Sequence, residues 1–313
     1  MSISIILKLC SFLDIISLFS LSCAKSSIIT AYLAEGIFMA LLTIDQYKCK
    51  KDGSCSMDCP VGIIQLNKEE DGFPVVATEM EAYCLKCGHC VAICPHGALD
   101  NSWVPQDVCP EIDKELTVDT EQAIQFLRSR RSIRHYKNHP VEKGTIESLI
   151  KVARYAPTAG NSQLVHWTVF TDPAQLKKIA EQTVDCLRDI VATQPKETYP
   201  AYFPMILAGW DMGFDAILRG APSLIVASAP QENPSGLVDV SLALSYLELL
   251  AAPMGLGTCW AGLVRRALAI WKPIQETIDL PERHVHYYSM MLGYPKLKYH
   301  RLPERKEPVI NWR

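Results

Sequence analysis

The sequence has little net charge and no complete nucleotide-binding fingerprint, and these absences narrow its possible functions. Its 313 residues carry a formal charge of −3, and no basic patch with interleaved aromatic residues occurs, so nucleic acid is not an expected partner. The segment beginning Gly255-Leu256-Gly257 lacks the third glycine of a dinucleotide fingerprint, because position 260 is Trp. The chain is 49% apolar, which allows a sizeable core. At about 150 residues per domain, its length favours two domains.

The first 43 residues lack both the uninterrupted apolar run of a membrane span and the basic start of an export signal. Lys8 and Asp14 interrupt the apolar residues, and no cluster of Lys or Arg precedes them. A second methionine, Met39, lies shortly before the cysteine-rich segment that begins at Cys49. We therefore interpret residues 1–38 as an upstream extension of the reading frame, with a packed or interfacial helix and an export signal as alternatives. No stable membrane insertion is expected.

Seven of the twelve cysteines lie between Cys49 and Cys94. The second half of this cluster, from Cys84 to Pro95, reads C-x2-C-x2-C-x3-C-P, a spacing typical of bacterial iron–sulfur proteins. Its first three thiolates surround one cluster, whereas the fourth, followed by Pro, serves the other cluster. Zinc sites use well-separated C-x2-C pairs and disulfides need an oxidising compartment, so this spacing favours neither.

The first half of the cysteine cluster departs from this spacing at one position. Asp52 stands where the second cysteine is expected, between Cys49 and Cys55. Crossed ligation predicts cluster I ligands Cys49, Asp52, Cys55 and Cys94 and cluster II ligands Cys59, Cys84, Cys87 and Cys90. A carboxylate holds iron in a sulfide cluster less tightly than a thiolate. Cluster I is therefore expected to be [4Fe-4S] with an Asp ligand or [3Fe-4S], and cluster II to be [4Fe-4S]. Alternatively, Asp52 is only a turn residue before Gly53.

Between the two cysteine runs, residues 62–66 and 73–76 flank a polar turn and predict a short hairpin. Together with the two runs, this segment resembles a two-cluster bacterial ferredoxin over residues 44–104. A domain of this kind carries electrons and does not select a substrate.

Residues 105–118 are predicted to form a linker, and residues 119–313 a second domain that mixes helices and strands. Apolar periodicity and capping residues predict helices over 119–130, 142–154, 173–192 and 239–252, the last buried on most sides. Short apolar runs predict strands over 167–170, 224–227 and 287–292. The irregular alternation favours an α+β or three-layer domain.

Three short segments of the second domain carry residue types suited to a flavin. Residues 130–134, R-R-S-I-R, offer guanidinium groups and a hydroxyl to a phosphate. Residues 156–163, A-P-T-A-G-N-S-Q, offer amides that both donate and accept hydrogen bonds. Residues 255–260, G-L-G-T-C-W, allow close backbone approach to a planar ligand. Followed by G-Y-P at 293–295, they resemble the nitroreductase family of FMN flavoproteins over residues 120–308.

This resemblance implies an α+β, nitroreductase-like three-layer α-β-α domain and a homodimer with FMN at each interface. It implies that Arg130, Arg131 and Ser132 hold the phosphate and ribityl chain, and that Arg134 lies near the flavin N1 edge. It further implies that the ring and ribityl chain contact Pro157, Thr158, Asn161 and Gln163, that Gly255, Leu256 and Gly257 cover the ring, and that Arg301 and Arg305 complete the phosphate site. The sequence departs from the family at 164–167, where L-V-H-W replaces the usual Pro-Trp.

No residue is assigned as a catalytic acid or base, because the family does not strictly need one. His135 and His166 are the alternatives for such a role. The resemblance implies an oxidoreductase that passes electrons from the clusters to FMN and then to a nitroaromatic, a quinone or an activated alkene. A cytoplasmic location is expected, because the clusters are sensitive to oxygen and the thiols must stay reduced. The electron donor is expected to be a protein or NAD(P)H. The alternatives are a non-catalytic electron-transfer adaptor between proteins and a specialised branch of the family, dehalogenating or flavin-modifying.

Overall fold

The computed structural model describes residues 40–313, so the prediction for residues 1–38 lies outside the described residues. The chain divides into two compact units, the first ending at Glu111 and the second spanning Ile112–Arg313. This division falls inside the segment 105–118 that was predicted to be a linker.

The first unit contains two short antiparallel strand pairs and two one-turn helices. Strand β1 (Leu42–Ile44) pairs with β4 (Leu99–Asn101), and β2 (Gln65–Leu66) pairs with β3 (Pro74–Val75). The second pair is the hairpin that the sequence predicted. The helices are α1 (Ser54–Met57) and α2 (His89–Ala92).

The second unit is built on a four-stranded antiparallel sheet with strand order β5-β6-β8-β7. The strands are β5 (His166–Phe170), β6 (Ser223–Pro230), β7 (Gly257–Trp260) and β8 (His284–Gly293). The three predicted strands are present within β5, β6 and β8. The G-L-G-T-C-W segment was not predicted to be a strand, yet its last four residues form β7 at the edge of the sheet.

The second unit has seven α-helices, and all except the first contribute residues to the cores that pack on this sheet. Helix α3 (Thr120–Ser129) begins with a capping box, in which Asp119 accepts the N–H of Gln122 at 2.8 Å. The other helices are α4 (Lys143–Ala153), α5 (Pro173–Thr193), α6 (Phe203–Asp211), α7 (Gly236–Ala251), α8 (Gly262–Ile270) and α9 (Lys272–Ile278). Helices α3, α4, α5 and α7 match the predicted helices, whereas α6, α8 and α9 were not predicted.

Alternating residues of the central strand β6 define the three layers of the second unit. Leu224 and Val226 pack with α5, α6, α8 and α9 on one face of the sheet. Ile225 and Ala227 pack with α4 and α7 on the other face. Because successive strand residues point to opposite faces, one fully buried strand serves both cores. The three-layer α-β-α architecture is therefore confirmed. Within residues 40–313, no helix is both long and apolar enough to cross a bilayer.

A histidine at the start of β8 is expected to make the stability of the second unit depend on pH. The His284 Nδ1 atom lies 2.8 Å from the hydroxyl of the fully buried Ser228, and the ring packs edge-on against His166. Burial, and then the proximity of His166, lowers the pKa of His284 below its usual value of 6.5. The unfolded chain therefore binds this proton more readily, so His284 contributes full stability above about pH 6.5 and loses it as the pH falls through the lowered pKa.

We therefore expect the urea midpoint of the wild-type protein to decrease between pH 7.5 and 5.5 by more than that of His284→Gln. Tryptophan fluorescence can follow the unfolding transition at each pH. His300→Gln, which alters an exposed histidine, is the matched control and should keep the wild-type dependence. Equal pH dependence in all three proteins would exclude this role of His284.

Candidate functional site

Two small cavities of the first unit each bring together one predicted ligand set. All four residues predicted for cluster I line one cavity, together with apolar residues such as Ile44 and Leu66. All four residues predicted for cluster II line the other, together with Leu41 and Ile63. Cys59 and Cys94 thus lie with the cysteines of the opposite run, as crossed ligation requires. Four cysteines around one cavity supply the donor set of a four-iron cluster.

Equivalent local structures present the cysteines of the two runs. Gly53 and Gly88 precede α1 and α2 with φ values of 80° and 72°, a left-handed conformation that glycine adopts without strain. Each glycine is followed at the second helical position by a buried cysteine, Cys55 or Cys90. Burial raises the pKa of Cys55, and it raises the pKa of Cys90 to about 11. Iron would have to displace these protons on binding.

Three N–H groups point at the sulfur atoms of these cavities. The backbone N–H groups of Lys86 and Ala98 lie 3.4 Å from the sulfurs of Cys84 and Cys94, and the Asn101 amide lies 3.8 Å from that of Cys90. Such donors tune the reduction potential of a bound cluster. Within residues 40–313, all ten cysteines are free and no three His, Cys, Asp or Glu side chains converge on a single metal ion. The ligand sets themselves stay a prediction.

Asp52 combines the two roles that the sequence left open. It lines the cluster I cavity. One carboxylate oxygen accepts the N–H of Ser54 at 2.8 Å, which forms a turn, and the other lies 3.6 Å from His96 Nε2. The hydrogen bonds from Ser54 and the charge of His96 lower the pKa of Asp52. The carboxylate is therefore ionised and placed at the cavity, as a ligand would be.

Arg130, predicted to hold a phosphate, forms an ion pair with a buried carboxylate. Its Nη1 atom lies 3.2 Å from Oε1 of Glu248 on α7, whose side chain is 7% exposed. Thr258 and Trp260 of β7 also donate hydrogen bonds to Glu248. Three donors thus satisfy the buried carboxylate, and its ion pair holds the start of the basic segment in place.

Arg131 has a buried donor that no described residue satisfies. Its Nη1 atom donates to the carbonyl oxygens of Arg128 and Arg130, at 2.8 and 2.6 Å. Its Nε atom is buried and has no hydrogen-bond partner among residues 40–313. Buried N–H groups are rarely left unpaired, so this atom suits an acceptor oxygen from a ligand, such as a phosphate or a ribityl hydroxyl. The half-buried Ser132 follows Arg131 in the chain.

A buried aspartate of α7 fixes the predicted ring-binding loop. Asp239 accepts hydrogen bonds from the Ala159 N–H and the Ser162 hydroxyl, at 3.2 and 3.4 Å, and from Asn233 at 2.8 Å. Within the loop, Thr158 accepts the N–H of Gln163 at 3.1 Å. Asn161 and Gln163 have φ values of 53° and 50°, a sparsely populated conformation that these contacts support. Pro157 is exposed at the start of the loop.

The predicted ring-covering residues pack against the protein itself. Leu256 is buried, and Gly255 has a φ of 74° in the turn before β7. A side chain at Gly257 would collide with Ile133 and Pro295, so the close approach at this glycine is to neighbouring protein atoms. Their predicted contact with a ring stays a prediction.

The two C-terminal arginines lie near helix α3. Arg301 lines a cavity of about 570 Å³ together with Gln122, Phe126 and Ser129 of that helix. Arg305 is exposed, and its neighbour Glu304 lies 3.4 Å from Arg128. Because α3 leads directly into Arg130 and Arg131, the structure brings Arg301 near the segment that was predicted to share its phosphate.

Arg134 borders a much larger open cavity of about 1080 Å³, lined mainly by residues of α6, α8 and β8 and of the loop after α6. Gly262 and Leu263, at the start of α8, also line it. Of the two histidines considered for acid or base chemistry, His135 is exposed and His166 packs on His284. Neither lines this cavity.

Sequence reasoning missed Glu248, Asp239 and three further arginines of the large cavity, Arg219, Arg265 and Arg266. The signal for the two acids was present, because they are the only charged residues of helix α7, which is otherwise mostly apolar. A charge buried in such a helix needs a partner. The partners lie far away in sequence, so only the structure identifies them.

Comparison with known proteins gives two matches that cover most of the described chain. The model described as "Nitroreductase family" matches residues 127–294, and the model described as "4Fe-4S dicluster domain" matches residues 47–99.

Similar individual proteins match the second unit. The FMN reductase [NAD(P)H] of Bacillus subtilis is 24% identical over 200 residues, which is 61% of this chain and 72% of that protein. The 5,6-dimethylbenzimidazole synthase of Rhodospirillum rubrum is 25% identical over 187 residues, 56% of this chain and 82% of that protein. A crystal structure of a nitroreductase with bound FMN from Bacteroides fragilis has 17% identity and a TM-score of 0.49, covering 61% of this chain and 100% of that one.

Proposed function

The chain belongs to the nitroreductase family as an oxidoreductase with a 4Fe-4S dicluster domain, and we propose that it carries electrons from two iron–sulfur clusters to FMN and on to a small organic acceptor. The observation that supports the proposal is the combination, in one chain, of two cavities that are each lined by all four predicted ligands and a nitroreductase-family domain in which the buried Arg131 Nε has no partner among residues 40–313. The relatives named as FMN reductase and nitroreductase with bound FMN support the flavin assignment.

The residues of each unit have distinct roles in this proposal. The eight predicted ligands would hold the clusters, which exchange one electron at a time. Arg131, Ser132 and Arg301 would hold the phosphate and ribityl chain, and Asp239 would fix the amide loop beside the ring. Arg134 would place a positive charge at the N1 edge, where it favours the reduced, anionic ring. FMN, when bound, joins one-electron delivery to two-electron reduction. A quinone acceptor would take two electrons and two protons to give the hydroquinone.

A homodimer with FMN at each interface is part of the proposal, by analogy with the family. A reducing compartment such as the cytoplasm also belongs to it, because all ten described cysteines are free. Anaerobic purification with measurement of iron, sulfide, flavin and molar mass tests these points together. A colourless preparation without sulfide or flavin would refute the proposal.

If electrons pass through the clusters, the Cys87→Ser variant should lose most of its quinone reduction. With reduced bacterial ferredoxin as donor, reduction of a quinone is expected to slow by about tenfold or more, because a lost thiolate disrupts cluster II. Cys109→Ser is the matched control, since Cys109 belongs to the same unit but to neither ligand set, and its rate should remain that of the wild type. Equal rates in the two variants would exclude this route. Electron exchange with protein partners only, without any small-molecule reduction, would favour the adaptor function.

A further inference from the structure

The cavity that Arg134 borders has an unusual charge. Three further arginines line it, Arg219, Arg265 and Arg266, and none of the described residues lining it is Asp or Glu. Four guanidinium groups and no carboxylate of the described residues line this space of about 1080 Å³, so its lining carries a positive charge. Such a charge favours the entry and binding of an anion.

None of these four arginines forms an ion pair with a carboxylate of residues 40–313. The arginines that do so are Arg128, Arg130, Arg188 and Arg283. Two of the cavity arginines lie instead over aromatic rings: the guanidinium carbon of Arg265 is 5.1 Å from the ring centre of Tyr288, and that of Arg266 is 5.4 Å from that of Phe203. A guanidinium stacked on a ring keeps its N–H edge available for a planar anion.

A tight turn fixes the backbone that carries Arg219. The carboxylate of Asp215 accepts the N–H groups of Ile217, Leu218 and Gly220, at 2.9, 2.9 and 3.0 Å. Arg219 has a φ of 57°, which this turn supports. The backbone position of this arginine is therefore fixed by the fold, so less conformational entropy is lost when a ligand binds.

The remaining wall of the cavity suits a ligand with a flat, apolar ring. Tyr202, Met205 and Phe214 are exposed side chains that line it, and Tyr288 lies on its β8 side. Aromatic and thioether groups pack well against a conjugated ring. The ligand that matches both features is a conjugated molecule with an anionic group.

The phosphate of FMN does not account for this charge. The residues predicted to hold it lie elsewhere: Arg130 is paired with Glu248, and Arg301 lines a separate cavity against α3. Of the residues predicted to hold FMN, only Arg134, assigned to the flavin edge, borders the large cavity. Arg219, Arg265 and Arg266 are thus left for a second molecule.

We propose that the electron acceptor is a conjugated molecule with a carboxylate group. This group binds Arg219, Arg265 and Arg266, and the reducible group of the molecule lies towards Arg134. This inference rests on the proposed function and adds the chemical class of the substrate. The guanidinium groups would bind the carboxylate of the acceptor through charge-assisted hydrogen bonds.

The test compares 4-nitrobenzoate with its neutral analogue 4-nitrobenzamide, using anaerobically purified full-length protein and reduced ferredoxin. The wild type is expected to prefer the carboxylate in kcat/KM by about tenfold or more, mainly through KM. This preference should be lost in Arg219→Gln and Arg265→Gln. Arg154→Gln is the matched control, because Arg154 also lies over a tyrosine ring, at 5.2 Å, but outside the cavity. It should keep the wild-type preference.

Two further measurements separate the inference from the proposed function. Isothermal titration calorimetry of 4-nitrobenzoate into the oxidised protein should show binding that weakens in Arg219→Gln and Arg265→Gln, with flavin and iron contents at wild-type level. Loss of flavin from these variants would assign the arginines to the cofactor and overturn the inference. Reduction of both acceptors without charge preference would also overturn it. Binding without reduction of either acceptor would refute the proposed function and retain the anion site.

Discussion

Replacement of Arg131 by Gln is expected to weaken FMN binding by roughly tenfold to 100-fold while the iron content stays that of the wild type. The reason is the buried Nε atom, which no residue between 40 and 313 satisfies. An oxygen atom of the cofactor would satisfy it, and a hydrogen bond to a charged group contributes about 1.5–3 kcal/mol. Flavin released by heat and measured by fluorescence gives the occupancy, and titration of the apoprotein with FMN gives the dissociation constant.

The control for this prediction is Arg188→Gln, which removes an exposed arginine of α5 that is paired with Asp185 and Asp211. It should retain both flavin and iron. Arg130→Ala is also expected to release flavin with the iron retained, but it leaves the buried Glu248 without its cation and so destabilises the fold as well. Arg131→Gln with wild-type flavin affinity would show that the R-R-S-I-R segment does not bind the cofactor.

Replacement of Asp52 by Cys is expected to change the type of cluster I. If the anaerobically prepared wild type shows the EPR signal of an oxidised three-iron cluster, the variant should lose that signal and gain iron, because a thiolate at the cavity completes the fourth corner. If the wild type already holds two four-iron clusters, the substitution should make cluster I more resistant to iron loss. Iron analysis and EPR of the oxidised and reduced protein distinguish these cases.

The matched control at this position is Asp52→Asn. An Asn side chain can still accept the Ser54 N–H and keep the turn, but it has no charge and binds iron poorly. Asp52→Asn should therefore retain the fold and show a three-iron cluster I. Identical iron content, signals and stability of the clusters in wild type, Asp52→Cys and Asp52→Asn would mean that Asp52 is only a turn residue.

The local features of both units could be predicted because they depend on neighbouring residues. The capping box at Asp119, the hairpin in the first unit and the buried strand at 224–227 follow from side chains a few positions apart. Helices α6, α8 and α9 were missed, since they are short, of 9, 9 and 7 residues, and their burial depends on helix α5. Residues 257–260 were not predicted to be a strand, because their pairing with β8 at the edge of the sheet is a long-range contact that local sequence does not specify.

The amino-acid sequence by itself determined the spacing of the cysteines, the place of Asp52 among them and the order of the flavin-related segments, because each depends on covalent distance along the chain. The tertiary structure decided which charges meet. Arg130 and Glu248 are 118 residues apart, Ala159 and Asp239 are 80 apart, and the four arginines of the large cavity come from three separate segments. Those contacts are set by how the layers stack on the sheet, and burial then determines whether a charge is paired within the protein or left for a ligand.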